Sequence, residues 1–376
     1  MQDENNNIVN EPQVEYEDID TGVLMERPFN PSQIDISTKN PTIDLLVKRL
    51  KSEPPEIDLY PDFQRKDDLW DAGKQSRLIE SLLIKFPLPA FYFDGTDNNN
   101  WLVVDGLQRL SAIRNFMINK TLKLTSLEFL KKLEGDGFDD LPRNLQRQIE
   151  ETQVTAYIIN PGTPAEVKFN IFRRVNTGGL IMEPQEIRHA MNQGLPAVLV
   201  KELAQTQEFI EATQKAISPN RMLDREFVTR FVSFYMNDYR NYVPDLDTFM
   251  NSSMSAIKKL TDKEREKMKA DFKSAMILSK EIFKNWAFRK SDKYPEKRKP
   301  INKALFEVWS VSLAKMDEKQ RETIKEKKEI LFDKSVDLVK EDLTFFNSIT
   351  TSTGNKTSVA YRFSSIEKII QETLEA

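Results

Sequence analysis

The chain has 376 residues, 39% hydrophobic and 30% charged, which allows roughly two or three domains at about 150 residues each. It has no cysteine and one histidine, His189, which excludes disulfides, thiolate chemistry, cysteine-based zinc sites and multi-histidine metal centres. The net charge of −4 is unevenly spread, because residues 1–20 hold seven acids (Asp3, Glu4, Glu11, Glu15, Glu17, Asp18, Asp20) and no Lys or Arg, leaving +3 on the rest.

Taken in chain order, residues 1–32 are acidic, Asn-rich and weakly apolar, the composition of a disordered tail. Gln33–Ser37 alternates as a strand. Asn40 is placed to cap a helix running to Leu50, with Pro41 at its first position. Gln75–Ile84 sets Leu78, Ile79, Leu82 and Leu83 at helical spacing. Ala90–Phe93 and Trp101–Val104 read as buried strands joined through an Asp94-Gly95 turn and an Asp/Asn run. Leu107–Ile118 is helical, Gln153–Ile159 alternates as a strand, and Glu166–Val175 and Pro184–Met191 are helical around a Gly-Gly turn. From 196 on the strand signals stop. Helical patterns cover 196–207, 224–239, 247–260, 262–288, 299–316 and 318–340, and a Gly/Ser/Thr-rich loop at 350–358 precedes a terminal amphipathic helix, 364–374. The expected fold is α+β for 33–195, followed by an all-helical domain over 196–376.

No stretch approaches 18 apolar residues, and the N-terminus lacks the basic and apolar regions of a signal peptide. The expectation is a cytoplasmic protein with no membrane partner.

Three segments carry chemistry. In Val103–Ser111 an apolar strand ends in Asp105-Gly106 and runs into a helix bearing Gln108 and Arg109. Helix-start N–H groups and the dipole favour an anion there, Arg109 can fork onto a phosphate, and Asp105 can hold Mg²⁺ or a water. The plainer reading is a tight turn whose Asp caps and whose Arg forms an ion pair. In Phe172–Gly179 a helix ends in Arg173-Arg174, and Asn176, Gly178 and Gly179 suit either an anion nest or an ordinary helix end. Gln64 and Arg65, ahead of Trp70 and Lys74, end a short extended segment. His189 is expected to be structural. Residues 284–303 hold Lys284, Arg289, Lys290, Lys293, Lys297, Arg298, Lys299 and Lys303, a solvated basic loop or a DNA contact made through Arg289, Lys290, Lys293, Lys297, Arg298 and Lys299. Walker A, GxGxxG and GxSxG motifs are absent.

The order of segments is more specific than any one of them. Pro61-Asp62-Phe63-Gln64-Arg65 and Trp70 precede Gln75–Leu82 and Phe86-Pro87-Leu88-Pro89. Asp105–Leu110 follows, then Phe172–Gly179 with Gln185-Glu186-Ile187-Arg188. This order resembles the DGQQR-motif family of ParB/sulfiredoxin-like domains, which includes the N-terminal part of the GmrSD type IV restriction enzymes and of the phosphorothioate-sensing SspE defence proteins. The end of the chain, Gly354 and Tyr361-Arg362-Phe363, also looks like the end of such chains. The resemblance implies a ParB/sulfiredoxin-like nucleotide-binding domain in prokaryotic antiviral defence. Asp105, Gly106, Gln108 and Arg109 match DGQQR, Gln64 and Arg65 the earlier Gln-Arg, and Arg173, Asn176, Gly178 and Gly179 the FxRxNxGG segment. Leu107 stands in place of the first motif glutamine and is expected to face the core. Many relatives carry a C-terminal His-Me finger nuclease; with no histidine after 189, that module is not expected here.

The leading expectation is therefore a nucleoside-triphosphate-binding and hydrolysing protein, with Asp105, Gln108 and Arg109 catalytic and Mg²⁺ or Mn²⁺ on Asp105. Gln64, Arg65, Gly106, Arg173, Asn176, Gly178 and Gly179 would bind the nucleotide. The alternatives are a DNA nickase or modified-DNA sensor using the same pocket, and a non-catalytic docking protein. Expected partners are the nucleotide, DNA, a nuclease or other defence subunit acting in trans, and a second copy of the chain.

Overall fold

The computed structural model describes residues 13–17, 30–59, 70–97, 99–175, 182–290 and 298–376. One compact unit ends at Met182. A second begins at Glu183 and also takes in residues 13–17.

The first unit contains β1 (Ile36–Lys39), α1 (Ile43–Lys51), β2 (Ile57–Asp58), α2 (Ala72–Leu83), β3 (Phe91–Asp97), β4 (Asn100–Asp105), α3 (Leu107–Ile113), α4 (Arg143–Glu151), β5 (Ala156–Ile159) and α5 (Ala165–Val175). The sheet order is β1-β5-β3-β4-β2. β5 is antiparallel to β1 and parallel to β3, β3 and β4 form an antiparallel hairpin, and β2 runs parallel to β4. Strand alternation divides the side chains. Phe91, Phe93, Val103, Ala156 and Ile158 enter a core with Ile79, Leu82, Leu110, Ile113 and Phe116 of the helices. On the other face Asp94 forms a buried ion pair with Lys168 of α5, at 3.1 Å.

Two local expectations change. Asp94-Gly95 is not the hairpin turn; both lie inside β3, and the ladder closes at Asp97 and Asn100. Gly95 is needed for packing, since a Cβ there would sit 2.7 Å from Ile158 Cγ2 on the neighbouring strand. The cap of α1 is Thr42, not Asn40, and its hydroxyl accepts the Leu45 N–H at 3.3 Å. The helix at 107 forms as expected, continuing beyond α3 as a π-helical stretch, Arg114–Ile118.

The second unit is helical among its described residues: α6 (Pro184–Met191), α7 (Leu195–Ala204), α8 (Gln207–Ala212), α9 (Leu223–Met236), α10 (Leu246–Ala256), α11 (Asp262–Phe283), α12 (Lys303–Ala314), α13 (Glu318–Glu326), α14 (Lys328–Glu341), α15 (Leu343–Ser348) and α16 (Lys356–Glu375). Phe209, Phe227, Phe231, Phe272 and Phe306 meet ring to ring at its centre. The unit starts at Glu183 rather than at 196, because α6 buries Gln185, Ile187, Arg188, His189 and Ala190 and sends Arg188 to Asp247 on α10, 2.7 Å away.

Of the expected disordered tail, residues 13–17 are bound to the helical unit, and 1–12 and 18–29 lie outside the described residues. Glu15 N donates to Ile301 O at 2.8 Å and Ile301 N to Gln13 O at 3.0 Å, so residues 13–17 add an extended segment to the helical unit. No helix among the described residues is long and apolar enough to cross a membrane.

Candidate functional site

β4 ends at Asp105, and Gly106 turns the chain into α3 with φ +104°. The left-handed backbone favours glycine, and space requires it: a Cβ would lie 2.4 Å from Phe91 Cδ1. One helical turn on, Arg109 returns beneath the junction. Its guanidinium donates to Pro89 O, to Ala90 O at 3.1 Å and to Asp105 Oδ2 at 2.9 Å, with its carbon 4.5 Å from the Phe91 ring centroid. Arg109 is 7% exposed. It ties the start of β3 to the end of β4, and its donors are committed to carbonyls and one carboxylate.

Asp105 remains half-buried. Burial pushes its carboxyl above the ordinary carboxylate range, against the opposing pull of Arg109 and the Gly106 N–H. Burial likewise lowers Arg109 below its usual value, with Asp105 opposing. The pair is thus a carboxylate held in place by a buried cation.

Gln108 faces another way. Its Oε1 accepts the Trp70 N–H at 3.1 Å, while Gln75 Nε2 donates to Trp70 O at 2.6 Å and Asn115 Nδ2 to Gln75 Oε1 at 3.1 Å. This amide relay clamps the backbone at Trp70. Leu107 is partly buried against the core, the inward placement expected of it.

Of the remaining expected ligands, Arg173 is exposed in the last turn of α5. Gln64, Arg65, Asn176, Gly178 and Gly179 lie outside the described residues. Among the described residues no group of three or more His, Cys, Asp or Glu could hold a metal ion. Asp105 would have to share a cation with water and ligand oxygens, the usual arrangement for Mg²⁺ on a phosphate chain.

The family model for the GmrSD restriction endonuclease N-terminal domain matches residues 44–192. Over this segment the chain is similar to the GmrSD N-terminal domain family. The match covers less than half of the chain. No curated protein and no solved structure matches it.

Several other polar residues of this segment brace the fold. Glu80 on α2 accepts the N–H groups of Glu128 (2.9 Å), Phe129 (2.7 Å) and Leu130 (2.7 Å), and Ser76 Oγ accepts that of Thr125 (3.0 Å). Gln185 Nε2 donates to Thr229 Oγ1 at 2.9 Å and Arg188 Nε to Gln185 Oε1 at 2.8 Å, both inside the helical unit. The order of motifs signalled them; nothing in the sequence showed that their partners were backbone groups.

His189 is buried, with Arg225 Nη1 3.2 Å from its Nδ1, in keeping with a structural role. The basic loop, expected to be either solvated or a DNA contact, has several of its cations engaged within the protein. Arg289 is buried, donates to Lys299 O, and is pulled down to about 10 by burial and by Arg298. Lys290 pairs with Glu15, and Arg298 donates to Gln214. Lys299 is exposed, and Lys293 and Lys297 lie outside the described residues. Three of these cations are thus engaged within the protein, by Glu15, the Lys299 carbonyl and the Gln214 amide.

Proposed function

We propose that the GmrSD-type segment binds a nucleoside triphosphate with Mg²⁺ at the Asp105–Arg109 junction and hydrolyses it, as part of a restriction-type defence system. The defence assignment rests on the family match, and the nucleotide on the junction itself. The observation that carries it is a half-buried carboxylate, raised by burial, at a strand end where the chain turns through an obligatory glycine into a helix start. Such a carboxylate suits a metal ion or an attacking water on a phosphate chain.

In this proposal the roles divide among the residues. Asp105 is the catalytic candidate. Arg109 is a positioning residue acting through Asp105, and Gln108 a positioning residue acting through Trp70. Charge neutralisation falls to Arg173 and to Arg65, with Gln64, Asn176, Gly178 and Gly179 around the phosphates. Mg²⁺ or Mn²⁺ held with Asp105 would supply charge stabilisation to the transferring phosphoryl group.

The test is phosphate release from each nucleoside triphosphate with Mg²⁺ or Mn²⁺. Asp105→Asn is expected to lower release at least 100-fold while the protein stays folded. Arg173→Ala is expected to weaken nucleotide binding more than it slows turnover of bound nucleotide. No binding and no release with any nucleotide sinks the proposal.

A further inference from the structure

Two segments that the nucleotide site does not use meet in the helical unit: the acidic N-terminal stretch and the Thr/Gly-rich loop before α16. Residues 13–17 lie extended along Ile301, with Glu15 and Glu17 turned inward and Tyr16 fully outward, 91% exposed. Glu15 Oε2 accepts Asn302 Nδ2 at 2.6 Å and pairs with Lys290. Glu17 reaches deeper. Its carboxylate receives both terminal nitrogens of Arg230, Nη1 at 3.2 Å, and the hydroxyl of Thr353. Arg230 is fully buried and Thr353 1% exposed.

The surrounding charges show what Glu17 supplies. Arg362 holds Glu307 through Nε and Nη2 at 3.0 and 2.6 Å, and Lys303 holds Glu226 at 2.9 Å. Arg230 also reaches Glu226 at 3.3 Å and stands 3.5 Å from Glu307 Oε2, a buried oxygen with no hydrogen bond. With Glu17 in place three cations face three carboxylates. Without it, Arg230, Arg362 and Lys303 face only Glu226 and Glu307, and one buried cation is left over. An uncompensated buried charge is strongly unfavourable, so the cavity that Glu17 fills demands an anion. The receptor atoms, a guanidinium fork and a hydroxyl, are those that recognise carboxylate and phosphate oxygens.

We propose that Arg230 and Thr353 form an oxyanion-binding site in the helical unit, that Glu17 is its internal occupant, and that a carboxylate- or phosphate-bearing ligand takes the site when the 13–17 segment leaves. The segment is suited to leaving. Among the described residues it is held by two backbone hydrogen bonds, the packing of Val14 and two carboxylates, and Glu307 Oε2 stands near enough to take part of Arg230's charge. The inference is independent of the nucleotide site.

The experiment is chemical rescue in the full chain. Glu17→Ala should lower the melting temperature by roughly 5–10 °C. Millimolar acetate or inorganic phosphate should restore at least half of that loss, while chloride at matched ionic strength should not. Wild-type protein, whose site is filled, should shift by less than a third as much. Rescue by acetate alone assigns a carboxylate ligand, and rescue by phosphate alone a phosphate ligand. Adding Thr353→Val to Glu17→Ala should weaken the rescue at least threefold in apparent affinity. If Glu17→Ala does not fold, Glu17→Gln, which keeps the shape and removes the charge, takes its place in the same titration. A variant that melts like wild type, or one that no oxyanion restores beyond chloride, overturns the proposal.

Discussion

At Arg109 the planar fork of donors is divided between two carbonyls and a carboxylate, with the Phe91 ring below. Lysine offers one charged nitrogen and cannot serve those positions together. Arg109→Lys should therefore cost about 2–3 kcal/mol, toward the low end for a broken buried pair because Asp105 keeps some contact with water. The urea midpoint of the variant reports it; a change below about 0.5 kcal/mol would mean that the carbonyls find other donors. At Gly106 the constraint is backbone shape. Gly106→Ala adds a left-handed alanine and a methyl group in the space of Phe91, a cost of about 3 kcal/mol, to be read from denaturant unfolding at unchanged slope.

Helix α2 works as a beam. Its apolar stripe, Leu78, Ile79, Leu82 and Leu83, enters the core, while Ser76 and Glu80 on the buried side hold the backbone of 125–130. Burial alone would raise the Glu80 carboxyl, but the N–H groups of Leu130, Glu128 and Phe129 outweigh it and hold it below the ordinary value of 4.5. A carboxylate lowered in the folded state gives stability that is present above the unfolded value and is lost as pH falls through the folded one. Glu80→Gln should cost about 2 kcal/mol at neutral pH. It should also flatten the decline in wild-type stability below pH 4.5, measured as urea midpoint against pH; an equal decline in both proteins would count against the assignment. The beam's period and its apolar face were legible in the sequence. The roles of Ser76 and Glu80 were not, because a buried carboxylate serving backbone N–H groups has no local sequence pattern.

For the whole molecule, the boundary at Met182/Glu183 makes a direct prediction. A fragment covering 183–376 keeps α6 and the Arg188–Asp247 pair, whereas one covering 196–376 strips both and leaves Asp247, Thr229 and Asn251 without their α6 partners. The shorter fragment should melt at least 5 °C lower; equal melting would place α6 outside the core of the helical unit. The sequence placed this boundary at 195, because the motif order runs on to Arg188 and the strand signal ends nearby. Which body a short helix joins depends on the partner its buried face meets, and periodicity does not name that partner.

The sequence by itself determined the fold class, the sheet-bearing first part and the helical second part, the strand-to-helix junction at Asp105–Gly106, the inward place of Leu107 and the absence of any histidine after His189. Each of these follows from local periodicity, turn chemistry or simple counting. The tertiary structure decided where polar side chains spend their hydrogen bonds. It bound Arg109 to carbonyls of β3's approach, Gln108 to Trp70, Lys290 to Glu15 and Glu17 to Arg230. These pairings join residues distant in the chain, and a charged side chain taken out of water must pair with whatever group the fold brings beside it. Residue type sets what such a group can bind, and the fold sets what it does bind.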